Sequence, residues 1–126
     1  MARYIRLMFD EDGTPIGAVH PMAWTPKRQA VGLALEGIDE VGFEPWATGR
    51  THFVRIPAGG SMPMHANDEH VFCVVVAGGG RLGLPSEDGV RYRAPEVMIF
   101  DPGVPHSWDD VTEDTILAVC LVDAGP

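Results

Sequence analysis

Residues 57–80 read PAGGSMPMHANDEHVFCVVVAGGG, and this stretch decides the predicted fold. A turn rich in Gly and Pro leads into a cluster of polar side chains, and the apolar run 71–77 follows directly. The run is short and ends at three glycines, which is typical of a buried β-strand. The polar residues before it are His65, Asn67, Glu69 and His70. We therefore expect groups with free lone pairs at the end of a core strand.

The two-residue period of a strand predicts which of these side chains faces the core. His70 is in phase with Phe72, and we expect both to point inward. Cys73 is out of phase with them, so its thiol is expected to point away from any pocket.

A further histidine, His106, follows the turn DPGVP at residues 101–105. This Pro/Gly turn ends another apolar strand, predicted over Val97–Phe100. Two strand ends that are separated by a hairpin thus each present an imidazole.

The order of these features over residues 51–122 resembles the two motifs of the cupin superfamily. The resemblance implies an all-β, antiparallel double-sheet (jelly-roll) barrel, which is usually a homodimer. It also implies an interior that often holds a divalent metal ion on histidines and one carboxylate.

The motif residues match this family only in part. The two histidines and the glutamate of the first motif align with His65, Asn67 and His70, so Asn replaces one ligand and His replaces the acid. In the second motif Gly103 and His106 match.

The whole chain has 126 residues, which suits one domain with one core. Its 15 Gly and 11 Pro imply many turns between short elements and favour an all-β fold with at most one short helix. We expect a single domain over residues 1–126. Residues 1–50 would supply N-terminal strands and a covering segment, and residues 51–122 the barrel core.

The net charge of −9, from 18 acidic and 9 basic residues, opposes binding to nucleic acid or to an anionic membrane. A small anionic substrate can still be met by one local Arg. No window approaches the roughly 18 consecutive apolar residues of a membrane span, and the N-terminus lacks an export signal. We therefore expect a cytoplasmic protein in which Cys73 and Cys120 are reduced core residues.

The remaining elements follow from local patterns. Thr25 and Pro26 favour the start of a short helix over Lys27–Leu35. The last strand, Thr115–Val122, is apolar on both faces, which suggests burial and a homodimer. The other predicted strands are Ala2–Phe9, Val41–Trp46, Arg50–Ile56, and the hairpin of Arg81–Leu84 with Val90–Arg93.

A metal centre on His65, His70 and His106 is the first hypothesis for the site. Three neutral imidazoles form an open catalytic site, and an all-nitrogen set suits Zn, Fe, Ni or Cu better than Mg or Ca. If Glu69 turned inward in place of His70, the ligands would be two histidines and a carboxylate, as in non-haem Fe(II) oxygenases. The strand register decides between them, because a slip of one residue reverses the faces.

Other residues complete the expected site. Asn67 and Glu69 are the candidate catalytic groups, with Glu69 as a general base. Phe72 and Trp108 lie two residues beyond His70 and His106, so they are the expected pocket walls. We expect His20 to be a surface or turn residue and His52 to be a core or surface residue.

Two classes of function fit these features. One is an enzyme acting on a small carbonyl or enolisable substrate, by oxygenase, isomerase or lyase chemistry if metal-dependent. Its metal-free variant is a cyclase or isomerase that uses the histidines as acid and base. The other class is a non-catalytic domain that binds a small ligand.

Overall fold

The structure is a computed structural model that describes residues 3–125. Ala2, with which the predicted first strand begins, lies outside the described residues. Residues 3–125 form twelve β-strands and no helix. The strands are β1 Arg3–Phe9, β2 Pro15–Pro21, β3 Thr25–Pro26, β4 Gln29–Ala30, β5 Leu33–Ala34, β6 Asp39–Gly42, β7 Gly49–Ile56, β8 Met62–His65, β9 His70–Leu84, β10 Glu87–Arg93, β11 Glu96–Phe100 and β12 His106–Val122.

Eight strands form one antiparallel sheet in the order β10-β9-β12-β7-β6-β3, with β11 paired to β9 and β8 paired to β12. The long strands β9 and β12 close this sheet into a jelly roll, because each of them belongs to both layers. The first half of β9 pairs with β11 and its second half with β10. Likewise, β12 pairs with β8 near its start and with β7 near its end. The predicted all-β jelly-roll fold is confirmed.

The glycines after residue 77 bend β9 rather than end it. Gly78 has a φ of 94°, in the left-handed region that other residues rarely adopt. A Cβ on Gly78 would lie 2.6 Å from the Cα of Thr115 and closer still to the carbonyl oxygen of Asp114. The glycines therefore let β9 cross β12 closely and continue to Leu84.

The core lies between the two layers of the jelly roll. It is built from alternate residues of the central strands, so that Val71, Cys73 and Val75 of β9 are buried together. The register aligns them with Leu121, Val119 and Leu117 of β12. In turn, β7 places Arg50, His52 and Val54 opposite these three residues of β12. Three strands thus form a regular inner wall.

The predicted phase of β9 is wrong. Phe72 is 47% exposed and His70 is also exposed, whereas Cys73 is only 1% exposed and faces the interior. The side chains alternate as predicted, but the run is apolar on both faces, so the pattern alone does not say which set is buried. The pairing of β9 with β11 and β12 fixes the opposite phase.

The helix predicted over Lys27–Leu35 is also wrong. The segment forms the small hairpin of β4 with β5, turning at Val31 and Gly32, whose φ angles are 44° and 82°. A left-handed Gly in mid-segment is incompatible with a helix and suits a tight turn. The hairpin covers one end of the barrel and contributes to the cavity described below.

The predicted hairpin of Arg81–Leu84 with Val90–Arg93 is confirmed as the pairing of β9 with β10. The predicted last strand, Thr115–Val122, is confirmed as the end of β12, where it pairs with both β7 and β9. The N-terminal strand is present as β1, which pairs with β2 in a separate two-stranded sheet.

Candidate functional site

A cavity of about 350 Å³ opens at one end of the jelly roll. The inner wall of β7, β9 and β12 forms its apolar part, and the β4–β5 hairpin and β8 contribute to its rim. The lining residues are Lys27, Gln29, Ala30, Val31, Gly32, Arg50, His52, Val54, Met62, His65, Asn67, Val71, Cys73, Phe100, His106, Trp108, Leu117, Val119 and Leu121.

His65 and His106 face each other in this cavity, as the sequence predicted. His65 ends β8, His106 begins β12, and the antiparallel register sets the two residues directly opposite each other. Their ring centroids are 4.5 Å apart. Two strand ends that are remote in the sequence therefore bring two imidazoles together.

Backbone carbonyls fix the tautomer of both rings. Nδ1 of His65 lies 2.7 Å from the carbonyl oxygen of Pro63, and Nδ1 of His106 lies 3.0 Å from that of Val104. A carbonyl oxygen only accepts hydrogen bonds, so each Nδ1 carries the proton and donates it. In the neutral ring, each Nε2 is then left with a free lone pair.

The surroundings of His106 favour its neutral form. The residue is 4% exposed, and the ring of Phe100 packs 4.4 Å from its own ring, between centroids. Burial lowers the pKa of His106, the Val104 carbonyl partly opposes this, and His65 lowers the pKa further. His106 is thus a neutral imidazole at physiological pH.

The third predicted metal ligand does not join this pair. His70 is exposed on the outer side of β9, because the strand buries the opposite set of alternate residues from the one predicted. The carboxylate of Glu69 lies 3.5 Å from Nη2 of Arg50, so it is engaged at the rim. Among residues 3–125, no group of three His, Cys, Asp or Glu side chains is arranged to hold a metal ion. Neither predicted ligand set is assembled there.

The other predicted site residues divide between the cavity and the surface. Asn67 lines the cavity, and its backbone carbonyl accepts a hydrogen bond of 2.7 Å from the N–H of Gly103, which joins the two histidine-bearing loops. Trp108 is a pocket wall, as predicted. Phe72, the other predicted wall, is exposed and does not line the cavity. Phe100 on β11 lines it as a second aromatic residue.

Cys73 also lines the cavity, contrary to the prediction. Burial raises the pKa of its thiol to about 12, so the sulfur stays protonated and is a poor nucleophile. We assign it a packing role.

His52, for which the sequence predicts an ordinary core or surface position, lines the cavity. It lies between Arg50 and Val54 on the inward face of β7. Its pKa is lowered to about 4, first by burial and then by Lys27, with Arg50 adding to the effect and Glu40 opposing it. The signal was present in the alternation of His52, Val54 and Ile56, of which the last two are buried.

Charges in the cavity lining are cationic. Lys27 and Arg50 both contribute to it, and no Asp or Glu is among the described residues that line it. The acidic partners lie just outside. Nζ of Lys27 is 3.0 Å from Oε2 of Glu40, and Arg50 is paired with Glu69. The arrangement can bind a small molecule, accept a proton at either Nε2, and attract negative charge.

Comparison with known proteins identifies the fold. No protein-family model matches the sequence, and no curated protein matches it either. Several solved structures are similar in shape, all at low sequence identity. The cupin domain of Schizosaccharomyces pombe Cnp3 superposes with a TM-score of 0.64 at 12% identity, covering 98% of this chain and 88% of that chain.

Two further structures show the same architecture. An RmlC-like cupin with a double-stranded β-helix fold from Methanocaldococcus jannaschii gives a TM-score of 0.60 at 15% identity, covering 80% of this chain and 89% of that chain. The DMSP lyase DddQ from Ruegeria pomeroyi gives 0.66 at 15% identity, covering 82% of this chain and 57% of that chain. The resemblance drawn from the motifs is confirmed at the level of fold. The chain therefore has the cupin fold, a double-stranded β-helix, with its candidate site in the interior of the jelly roll.

Proposed function

We propose that this chain is an enzyme that binds a small enolisable molecule in the cavity and moves a proton on it, with His65 and His106 as the acid–base pair. The observation that carries the proposal is that the two rings, whose centroids are 4.5 Å apart, each leave Nε2 free inside the same cavity. Isomerase or lyase chemistry follows from this arrangement.

The reaction begins with a neutral imidazole. Nε2 of one histidine takes the proton from a carbon beside a carbonyl group, and the electron pair of the C–H bond stays on the substrate as an enolate. The imidazolium then returns this proton from Nε2 to another atom of the substrate. In the lyase case the enolate electron pair forms a new C=C bond, and a leaving group on the adjacent carbon departs with the electrons of its own bond and accepts the proton. Two imidazolium ions so close together repel each other, so the pair holds one extra proton at a time.

The surrounding residues support this step. Asn67 lines the same cavity, and its side-chain amide is a donor suited to the developing enolate oxygen. Glu69, the base expected from the sequence, is engaged by Arg50, and the proton transfer is therefore assigned to the imidazoles. Apolar side chains such as Val71 and Leu121 also line the cavity, and they strengthen nearby electrostatic contacts.

A metal-dependent enzyme is the second candidate, because the two Nδ1–H groups that bond to carbonyls are the usual support of metal-binding histidines. A catalytic zinc centre generally takes three protein ligands. The described residues bring only His65 and His106 together. The donor set of residues 3–125 thus does not fit a complete centre of this kind.

Proton exchange in D₂O tests the proposal. The purified protein is mixed with small ketones and keto acids, including 2-oxobutyrate and dihydroxyacetone, and loss of the α-proton signal is followed by ¹H NMR. We expect exchange above the buffer rate, reduced about 100-fold or more in His65→Gln and in His106→Gln. His70→Gln is the matched control, because His70 is an exposed histidine on the outer side of β9.

Three results would contradict the proposal. One is no catalysed exchange with any probe, which would favour a non-catalytic binding domain. The second is equal loss of exchange in His70→Gln. The third is near-stoichiometric Fe, Ni, Zn or Cu in the wild-type protein, lost in His65→Ala and His106→Ala, with exchange abolished by a chelator. That result would favour the metal-dependent candidate.

A further inference from the structure

We propose that the molecule bound in this cavity is a small organic anion, whose carboxylate is held at the rim by Arg50 with support from Lys27. The inference rests on the proposed function for its location, since it names the substrate class of the same site. Three observations support it: the positions of the two cations, the absence of acidic side chains among the described lining residues, and the effect of the cations on the pKa of His52.

Strand register places Arg50 across the cavity from the histidine pair. Arg50 on β7 is opposite Leu121 on β12, and Leu121 is opposite Val71 on β9. Val71 is in turn opposite Phe100 on β11. The Phe100 ring lies 4.4 Å from the ring of His106, between centroids. Arg50 and the imidazoles therefore sit at the same end of the barrel, and all three residues line the same cavity.

The guanidinium of Arg50 has donors to spare. Its contact with Glu69 is a single one of 3.5 Å from Nη2, and the Arg50 side chain is about half exposed. A guanidinium carries five N–H donors in a planar fork, which matches the two oxygens of a carboxylate. Glu69 lies outside the cavity lining, so it holds the guanidinium at the rim without filling the cavity.

The charge of the cavity is opposite to that of the chain. The protein carries −9 overall, yet Lys27 and Arg50 line the cavity and no Asp or Glu of the described residues does. His52 lies on the same wall, and its pKa is lowered first by burial and then by Lys27, with Arg50 adding to the effect and Glu40 opposing it. The two cations therefore act on a group inside the cavity. An anion in this cavity meets two cations whose acidic partners, Glu40 and Glu69, lie outside the lining.

The size of the cavity limits the anion. A volume of about 350 Å³ is near the lower end of the roughly 300–1,000 Å³ typical of ligand pockets. With an apolar inner wall and cations at the rim, the cavity suits a compact carboxylic acid with a short hydrocarbon or carbonyl-bearing body.

Matched neutral and charged probes test the inference. Benzoate and benzamide have nearly the same shape and differ in charge, and their binding is followed through the indole N–H signal of Trp108 in ¹H–¹⁵N NMR spectra. For the wild-type protein we expect benzoate to bind about tenfold or more tightly than benzamide. In Arg50→Gln we expect benzoate binding to weaken by about tenfold or more while benzamide binding is unchanged, which also reports an intact cavity.

Arg93→Gln is the matched control, since Arg93 is an exposed arginine in an ion pair with Glu113 and does not line the cavity. It should bind both probes like the wild type. Equal affinity for the two probes, absence of benzoate binding at millimolar concentration, or an equal loss in Arg93→Gln would each overturn the inference.

The test separates this inference from the proposed function. If benzoate binding depends on Arg50 but no proton exchange depends on His65 and His106, the anion site stands and the acid–base role fails. If exchange depends on the histidines but the two probes bind alike, the acid–base role stands and the substrate class is wrong.

Discussion

At the scale of single residues, His52 makes the stability of the protein depend on pH. Its pKa in the folded state is about 4, below the ordinary value of 6.5, because burial and nearby cations disfavour the imidazolium. The unfolded chain therefore binds the proton at higher pH than the folded chain does. The contribution of neutral His52 is fully present above about pH 6.5 and is lost as the pH falls toward 4.

We expect His52→Gln to lose less stability on acidification than the wild type, by up to about 3 kcal/mol of unfolding free energy. Urea unfolding at about pH 7.5 and about pH 4.5 measures the difference. His70→Gln, which changes an exposed histidine, should keep the wild-type pH dependence. Equal losses in His52→Gln and the wild type would show that His52 does not titrate in this range.

Residue chemistry also explains which parts of the site could be predicted. His65 and His106 each follow a Pro-containing turn beside an apolar strand, so sequence placed them at strand ends, and the fold brought them together. His52 lies on the same strand face as Val54 and Ile56, so its inward orientation could be predicted, but the alternation does not distinguish a cavity residue from a core residue. Its role depends on Lys27 and Arg50, whose proximity is set by the tertiary structure.

At the scale of elements, strand periods were predictable and strand phases were not. In β9 the residues on both faces are apolar, so the alternation is compatible with either face being inside. Pairing with β11 and β12 buries the Cys73 face and exposes the Phe72 face. The three glycines that predict a strand end show the same limit, because a local pattern does not reveal that another strand crosses closely at Gly78.

That crossing gives a prediction for β9. Gly78→Ala would force a Cβ into a left-handed backbone position and against the backbone of β12, so we expect a loss of about 2 kcal/mol or more in unfolding free energy. Gly42→Ala, on β6, is the matched control, because its Cβ meets nothing within 4 Å. Thermal or urea unfolding of both variants checks this. A loss in Gly78→Ala no larger than in Gly42→Ala would mean that β9 and β12 can separate at the crossing at little cost.

At the scale of the whole molecule, many large apolar side chains of the described residues are exposed to solvent. No helix in residues 3–125 has the length and apolarity to cross a membrane. The β1–β2 hairpin forms its own two-stranded sheet and exposes Leu7 at 81% and Phe9 at 70%. The outer face of β9 and β11 exposes Phe72 and Ile99, which are cross-strand neighbours. A two-stranded hairpin is marginal in water by itself, and exposed apolar patches of this kind mark interfaces.

We predict that a second copy of the chain covers these surfaces in a homodimer. One chain carries both an apolar hairpin and an apolar sheet face, so a two-fold axis can bury each hairpin on the partner copy, as a closed symmetric dimer requires. Sedimentation velocity at about 10 µM should give a dimer for the wild type and a monomer for the double variant Leu7→Lys and Phe9→Lys. Val90→Lys, a matched change at an exposed valine on β10, which pairs with β9 in the other sheet, should stay dimeric. A monomeric wild type would contradict the homodimer. A hairpin variant that remains dimeric would show that the interface lies elsewhere on the chain. In either case the apolar hairpin would need a different partner.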